Sequence, residues 1–126
     1  MTLLDRNQFN QEQHIWKEKL ERFKQENVLL KYQLSELVDN NEDNNYLQLA
    51  EYFQNELLIM DDKLKNLFFR LEEFSRFLRR PKKEGELPGK EIADYNNLKK
   101  DIAKFEKKFL KLTDEFKGKM SENQGY

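Results

Sequence analysis

His14 is the first residue to consider for chemistry, because it is the only histidine and imidazole titrates near neutral pH. The chain has no cysteine, so thiolate chemistry, disulfides and cysteine-based metal sites are excluded. Paired acids occur at Asp61-Asp62 and Glu72-Glu73, within sequence that has helical periodicity. Carboxylates on helix surfaces are ordinarily solvated. None of these residue types therefore indicates a catalytic centre by itself.

The segment around His14 has one feature of a His phosphotransfer domain, which is a helical bundle with an exposed histidine on a helix. The sequence His14-Ile15-Trp16-Lys17 resembles that motif because a lysine follows the histidine by three residues. It departs from the motif at Glu18, where the family has a small residue. His14 also lies in the first turns of the first helix. Phosphotransfer through His14 is therefore a remote alternative, and a surface histidine is the expected outcome.

Metal and phosphate sites of the kinds that helical proteins use are not apparent. Carboxylate-bridged metal sites need inward-facing Glu-x-x-His repeats, and the residue three before His14 is Gln11. The four glycines are scattered and form no phosphate-binding loop. We expect a protein that is not an enzyme, with no cofactor and no metal.

Apolar residues recur at alternating steps of four and three along three segments, the period of helices that pack along a continuous seam. Of the 26 seam positions 24 are apolar, and this regularity predicts left-handed coiled-coil packing. The seam positions are Phe9, Gln13, Trp16, Leu20, Phe23, Asn27, Leu30, Leu34 and Leu37; Tyr46, Ala50, Phe53, Leu57, Met60, Leu64, Leu67, Leu71, Phe74 and Leu78; and Tyr95, Leu98, Ile102, Phe105, Phe109, Leu112 and Phe116.

Two connections separate these segments. The first is rich in Asn and Asp over 39–45, residues that favour turns and helix N-caps, and the second contains Pro81, Gly85, Pro88 and Gly89. We predict one domain over residues 1–118, with helices at about 5–39, 44–80 and 89–117, and a polar flexible tail over 119–126.

Short connections between long helices favour antiparallel neighbours, so the expected all-α fold is an antiparallel up-down-up bundle of three heptad-patterned helices. This layout resembles the three-helix repeats of spectrin, including a tryptophan, Trp16, at a seam position of the first helix. The likeness is common to antiparallel coiled coils, so it implies an architecture and no particular partner.

Two polar residues, Gln13 and Asn27, occupy seam positions of the first helix. A buried Asn at such a position can determine helix register or oligomeric state. The alternative is a position at the edge of the bundle, with each amide in water, and we expect this second outcome.

Composition agrees with long helices that have narrow buried stripes. Charged residues make up 37% of the chain and the mean hydropathy is −1.02, yet ten residues are Phe. The first residues do not resemble a signal peptide, and no apolar run approaches the roughly 20 residues that span a bilayer. We expect a soluble, cytoplasmic protein with no membrane partner.

The net charge of −1 conceals a strong segregation along the chain. Residues 32–62 contain eight acids and no Lys or Arg, whereas residues 63–83 contain eight basic residues and two acids. We define the basic pole as Arg76, Arg79, Arg80, Lys82 and Lys83. It could dock an acidic protein or nucleic acid, as in an adaptor or chaperone-like module. Favourable helix-dipole placement and internal charge pairing explain the same pattern, and a nucleic-acid partner is unlikely at this overall balance.

Several large apolar residues lie outside the seams. Such a surplus commonly marks an interface, and self-association with twofold symmetry is the commonest outcome. The surplus residues are Ile15, Val28, Leu29, Tyr32, Tyr52, Ile59 and Phe69. The leading expectation is therefore a non-enzymatic interaction or scaffold protein that forms a homo-oligomer, with a dimer as the first candidate.

Overall fold

The computed structural model describes residues 6–40, 43–79 and 88–122, and nearly all of them are helical. Helix α1 spans Arg6–Asp39, α2 spans Asn44–Arg79 and α3 spans Pro88–Glu122. No strand occurs within these ranges, so the described chain is all-α and forms a helical bundle. None of the three helices has a stretch long and apolar enough to cross a membrane.

The first connection ends in a helix cap that its sequence predicts. A carboxylate oxygen of Asp43 accepts the N–H of Asn45 at 2.9 Å. The Asp43 carbonyl accepts the N–H of Leu47 at 2.9 Å, the first hydrogen bond of α2. Asp43 is thus the N-cap residue, and its side chain satisfies an amide that the helix leaves unpaired.

The core consists of the seam residues. Each of the 26 seam positions is buried or partly buried, and the four that are only partly buried are Gln13, Leu37, Leu78 and Tyr95. Leu49, Phe68 and Val38 pack against the core from beside the seams. Burial therefore follows the apolar period along the full length of all three helices.

The end of α3 differs from the expected helix end near residue 117 and from the expected start of a tail at 119. The helix continues to Glu122, and Met120 is buried beside Phe116 in the core. Gly118 is exposed, with no atom within 4 Å of a Cβ placed there. A glycine in a helix costs about 1 kcal/mol relative to alanine, less than the roughly 1.5–3 kcal/mol gained by burying a methionine side chain.

Aromatic rings fill the space between α1 and α3. Tyr95 lies 4.0 Å from Phe9 and 5.1 Å from Trp16, measured between ring centroids. Phe23 lies 5.6 Å from Phe105 and 5.3 Å from Phe109. The backbones of α1 and α3 each approach α2 extensively and approach each other little. The size of the rings explains that separation, since aromatic pairs prefer centroid distances of roughly 4.5–7 Å.

Within the described ranges, an ion pair joins each pair of helices at the margin of the core. The pairs are Lys31 to Asp61 at 2.5 Å between α1 and α2, Lys19 to Glu106 at 2.6 Å between α1 and α3, and Arg70 to Asp101 at 2.7 Å between α2 and α3. These side chains are all partly exposed, so each pair contributes about 0–1 kcal/mol. Their main effect is to disfavour registers that would separate the opposite charges.

Replacing Gly118 by alanine should stabilise the protein. The new methyl group meets open space, and alanine restricts the unfolded backbone, so we expect an increase of about 0.5–1 kcal/mol in the free energy of unfolding. Urea unfolding followed by circular dichroism measures it. Ala103→Gly, at an exposed position of the same helix, is the matched control and should lower the value by a similar amount. A destabilising Gly118→Ala would show that α3 is not helical at residue 118.

Candidate interaction surfaces

Asn27 is a fully buried polar residue, so the expectation that its amide lies in water is wrong. Its Nδ2 group donates to the Leu57 carbonyl at 3.0 Å and to Oδ1 of Asp61 at 2.6 Å. The other carboxylate oxygen of Asp61 accepts from Lys31 at 2.5 Å. These partners accept both amide hydrogens, which offsets part of the cost of burying Asn27, while its Oδ1 is buried without a hydrogen-bond partner among the described residues. The three side chains form a polar link between α1 and α2.

Gln13 also departs from the expected exposed position. It is partly buried, and its Oε1 accepts a hydrogen bond from the Ser75 hydroxyl at 2.5 Å. Ser75 lies toward the end of α2, whereas Asn27 contacts the middle of that helix. The two polar seam residues of α1 therefore face two different polar groups of α2, and a shift in register would separate both pairs.

The outer face of α1 exposes a compact apolar patch. Val28, Leu29 and Tyr32 are 52%, 53% and 61% exposed, although each is a large apolar side chain. The spacing of 28 and 29 from 32 places all three within about one helical turn. Gln25 and Gln33 lie beside them and are also exposed. We call these five residues the α1 patch.

The other predicted surface residues are exposed but dispersed. Ile15 lies on the same side of α1 as Leu29, two heptads and thus about 21 Å before it. On α2, Tyr52 and Ile59 are a heptad apart, and Phe69 is 64% exposed between charged neighbours. Leu58 and Leu110 are also exposed, although the sequence analysis did not predict them as surface residues. Leu58 lies beside Ile59 in an apolar run and could have been predicted with it, whereas Leu110 follows the seam residue Phe109.

The exposed tyrosines have acidic neighbours. The pKa of Tyr32 is raised by a hydrogen bond to Glu36, by the charge of Glu36 and by slight desolvation. The pKa of Tyr52 is raised by desolvation and by the charges of Glu56 and Glu115. Both phenols therefore stay protonated and neutral at physiological pH. Each is able to contribute an apolar ring and a hydroxyl donor to a contact.

The described part of the basic pole is already paired with acids of its own helix. Arg76 lies 3.6 Å from Glu72 and 3.5 Å from Glu73, and Arg79 lies 3.6 Å from Glu72. The remaining residues of the basic pole, Arg80, Lys82 and Lys83, lie outside the described residues. An acidic partner at Arg76 or Arg79 would have to compete with these carboxylates, so the geometry gives this docking hypothesis no added support.

His14 is exposed on α1, as expected for a surface histidine. Within residues 6–40, 43–79 and 88–122, no group of three His, Asp or Glu side chains has the arrangement of a metal site.

Comparison with known proteins places no constraint on these surfaces: no protein-family model, curated protein or solved structure matches the chain. Interpretation of the surfaces therefore depends on their own geometry and chemistry.

Asn27→Ala should destabilise the bundle by about 2–3 kcal/mol, because it removes two hydrogen bonds and leaves a small cavity in the core. Chemical denaturation of both proteins measures the difference. Asn96→Ala, at an exposed position of α3, is the matched control and should be neutral or slightly stabilising. Equal effects of the two substitutions would contradict the buried position of Asn27.

Proposed function

We propose that this protein is a non-enzymatic helical interaction protein, a scaffold that self-associates through the α1 patch. The observation that supports it most is the exposure of Val28, Leu29 and Tyr32 by more than half of their surface. None of these three residues occupies a seam position, so the core does not include them. An exposed apolar cluster on a highly charged protein is most simply explained by a partner that covers it.

The scaffold itself is proposed to be an antiparallel up-down-up coiled-coil bundle. Contacts at its two ends support this geometry. Phe9 of α1 lies 5.3 Å from Phe74 and 4.0 Å from Tyr95, which joins the start of α1, the end of α2 and the start of α3. Phe53 of α2 lies 5.3 Å from Phe116 of α3, between the start of one helix and the end of the other. Such a rod presents the outer face of α1 along its length.

The composition of the α1 patch is that of an interface centre. All five of its residues are uncharged, whereas charged residues make up 37% of the whole chain. Interface centres are depleted in charge and enriched in tyrosine, with polar residues around them. Lys24, Glu21 and Glu36 lie around the patch and can form such a rim.

A second copy of this chain is the partner that suits the patch best. In a twofold contact a surface faces itself, so a charged patch would bring like charges together. An uncharged patch avoids this repulsion. The patch is also on one continuous helix, and the outer α1 faces of two copies can pack side by side as two helices do.

The expected dimer is of moderate affinity. Stable interfaces bury about 1,600 Å² in total, and three large side chains at the centre of each copy supply only part of that area. We expect a dissociation constant in the micromolar range, equivalent to about −8 kcal/mol of binding free energy. The fraction of protein in the dimer would then depend on protein concentration.

Sedimentation equilibrium tests the proposal. Wild-type protein should form a dimer at micromolar concentrations, and the triple variant Val28→Gln, Leu29→Gln, Tyr32→Gln should remain a monomer. Glutamine favours helix, so the helical content of the variant should be unchanged. Its melting temperature should equal that of the wild type at concentrations well below the dissociation constant, where both are monomers.

Phe69→Gln is the matched control, because Phe69 is at least as exposed but lies among charged residues of α2. This control should dimerise like the wild type. A wild-type protein that is monomeric at about 100 µM, well above a micromolar dissociation constant, contradicts the proposal. Equal dimerisation of the triple variant contradicts the assignment to the α1 patch.

A further inference from the structure

A second surface of interest is a groove between α2 and α3, and it contains no residue of the α1 patch. It encloses about 380 Å³. Its floor contains the buried side chains of Leu67 and Phe105, and its rim is polar. The lining residues are Asp62, Lys63, Asn66, Leu67, Arg70, Asp101, Lys104, Phe105 and Lys108.

This groove contains one of the three interhelix ion pairs, Arg70 with Asp101, together with three further lysines. Lys63 of α2 and Lys108 of α3 both line the groove, so it brings together cations from two helices. The pKa of Lys63 is lowered by burial and by the neighbouring charge of Lys108, while the charge of Glu56 opposes the shift. In the same groove the pair of Arg70 and Asp101 places an acid opposite a base.

The acids of the groove do not neutralise its lysines. Asp101 lies 2.7 Å from Arg70 and is paired with it. Asp62, the other acid of the lining, is exposed and forms no ion pair with a described residue. Among the described residues, none of Lys63, Lys104 and Lys108 forms an ion pair with a carboxylate. The four basic and two acidic residues of the lining leave an excess of two positive charges. Lys104 lies one turn before Lys108 on α3, so the three lysines share one concave surface.

We propose that this groove binds the phosphate group of a small phosphorylated molecule, held by Lys63, Lys104 and Lys108. A dianion between the lysines replaces their mutual repulsion by attraction to a shared partner. Lysine is a common phosphate ligand, and ammonium groups from two helices can bind different oxygens of one phosphate. The amide of Asn66 supplies a further donor on the α2 side. The apolar floor strengthens these interactions, because a concave surface with low-dielectric walls concentrates the field of its charges.

The site does not depend on the proposed self-association. The α1 patch and this groove lie on different helices, so the triple Gln variant of the α1 patch should still bind phosphate. Loss of one property with retention of the other would therefore identify which of the two proposals fails.

Isothermal titration calorimetry with inorganic pyrophosphate tests the groove directly, with ionic strength held constant by chloride. The wild type should bind one pyrophosphate per chain, and pyrophosphate should raise its melting temperature. Lys63→Gln and Lys108→Gln should each weaken binding by about tenfold, the loss expected for one charge-assisted hydrogen bond. Inorganic phosphate and glucose 6-phosphate as alternative titrants show whether a free anion or a phosphomonoester is preferred.

Lys107→Gln is the matched control, because it removes the same charge from an exposed position of α3 that does not line the groove. It should leave pyrophosphate binding unchanged. Equal weakening by the control would show a diffuse attraction to positive charge and overturn the proposal. Absence of pyrophosphate binding would also overturn it, even if Lys63→Gln raises the melting temperature, since relief of repulsion alone would then explain that increase.

Discussion

Burial of three long apolar stripes with large aromatic residues is the constraint on which the rest of this structure depends. Every seam position is withdrawn from water at least in part, and rings fill the space between α1 and α3. Phe23 contacts two rings of α3, and Tyr95 contacts two rings of α1 and one of α2. These contacts orient α1, so that its seam faces inward and Val28, Leu29 and Tyr32 face outward.

Apolar packing tolerates neighbouring registers, whereas polar groups inside the seam discriminate among them. Asn27 is fully excluded from water, and its amide group donates to the Leu57 carbonyl and the Asp61 carboxylate of α2. Another register would separate it from these two acceptors. Ser75 likewise donates a hydrogen bond to Gln13, and the three interhelix ion pairs favour the same register more weakly. The polar contacts thus select one alignment of helices whose stability comes mainly from apolar burial.

The sequence predicted the helices and their buried faces well, because a strict four-three period needs no knowledge of partners. The environment of Asn27 was not predictable in this way. Asp61, its acceptor, is 34 residues distant in sequence, and its level beside α1 is known only after the helices are aligned. The end of α3 was missed for a related reason. Gly118 is a local signal for a helix end, and burial of Met120 outweighs it.

The candidate surfaces also differ in whether the sequence alone could predict them. Val28, Leu29 and Tyr32 could be identified from the sequence, because apolar residues opposite a seam must be exposed unless another surface covers them. The lysine groove could not, since Lys63 and Lys108 come together only through the pairing of α2 with α3. Arg76 and Arg79 illustrate the reverse, because their acidic partners are only three to seven residues away in the same helix.

The central claim, contact between copies through the outer face of α1, is tested most directly by pulsed electron paramagnetic resonance. The chain has no cysteine, so Gln33→Cys and Lys107→Cys each provide one site for a nitroxide label. We expect a short, narrowly distributed distance between copies for the label at residue 33 and a longer distance for the label at residue 107. No dipolar coupling between copies at residue 33, or a shorter distance at residue 107, would contradict it.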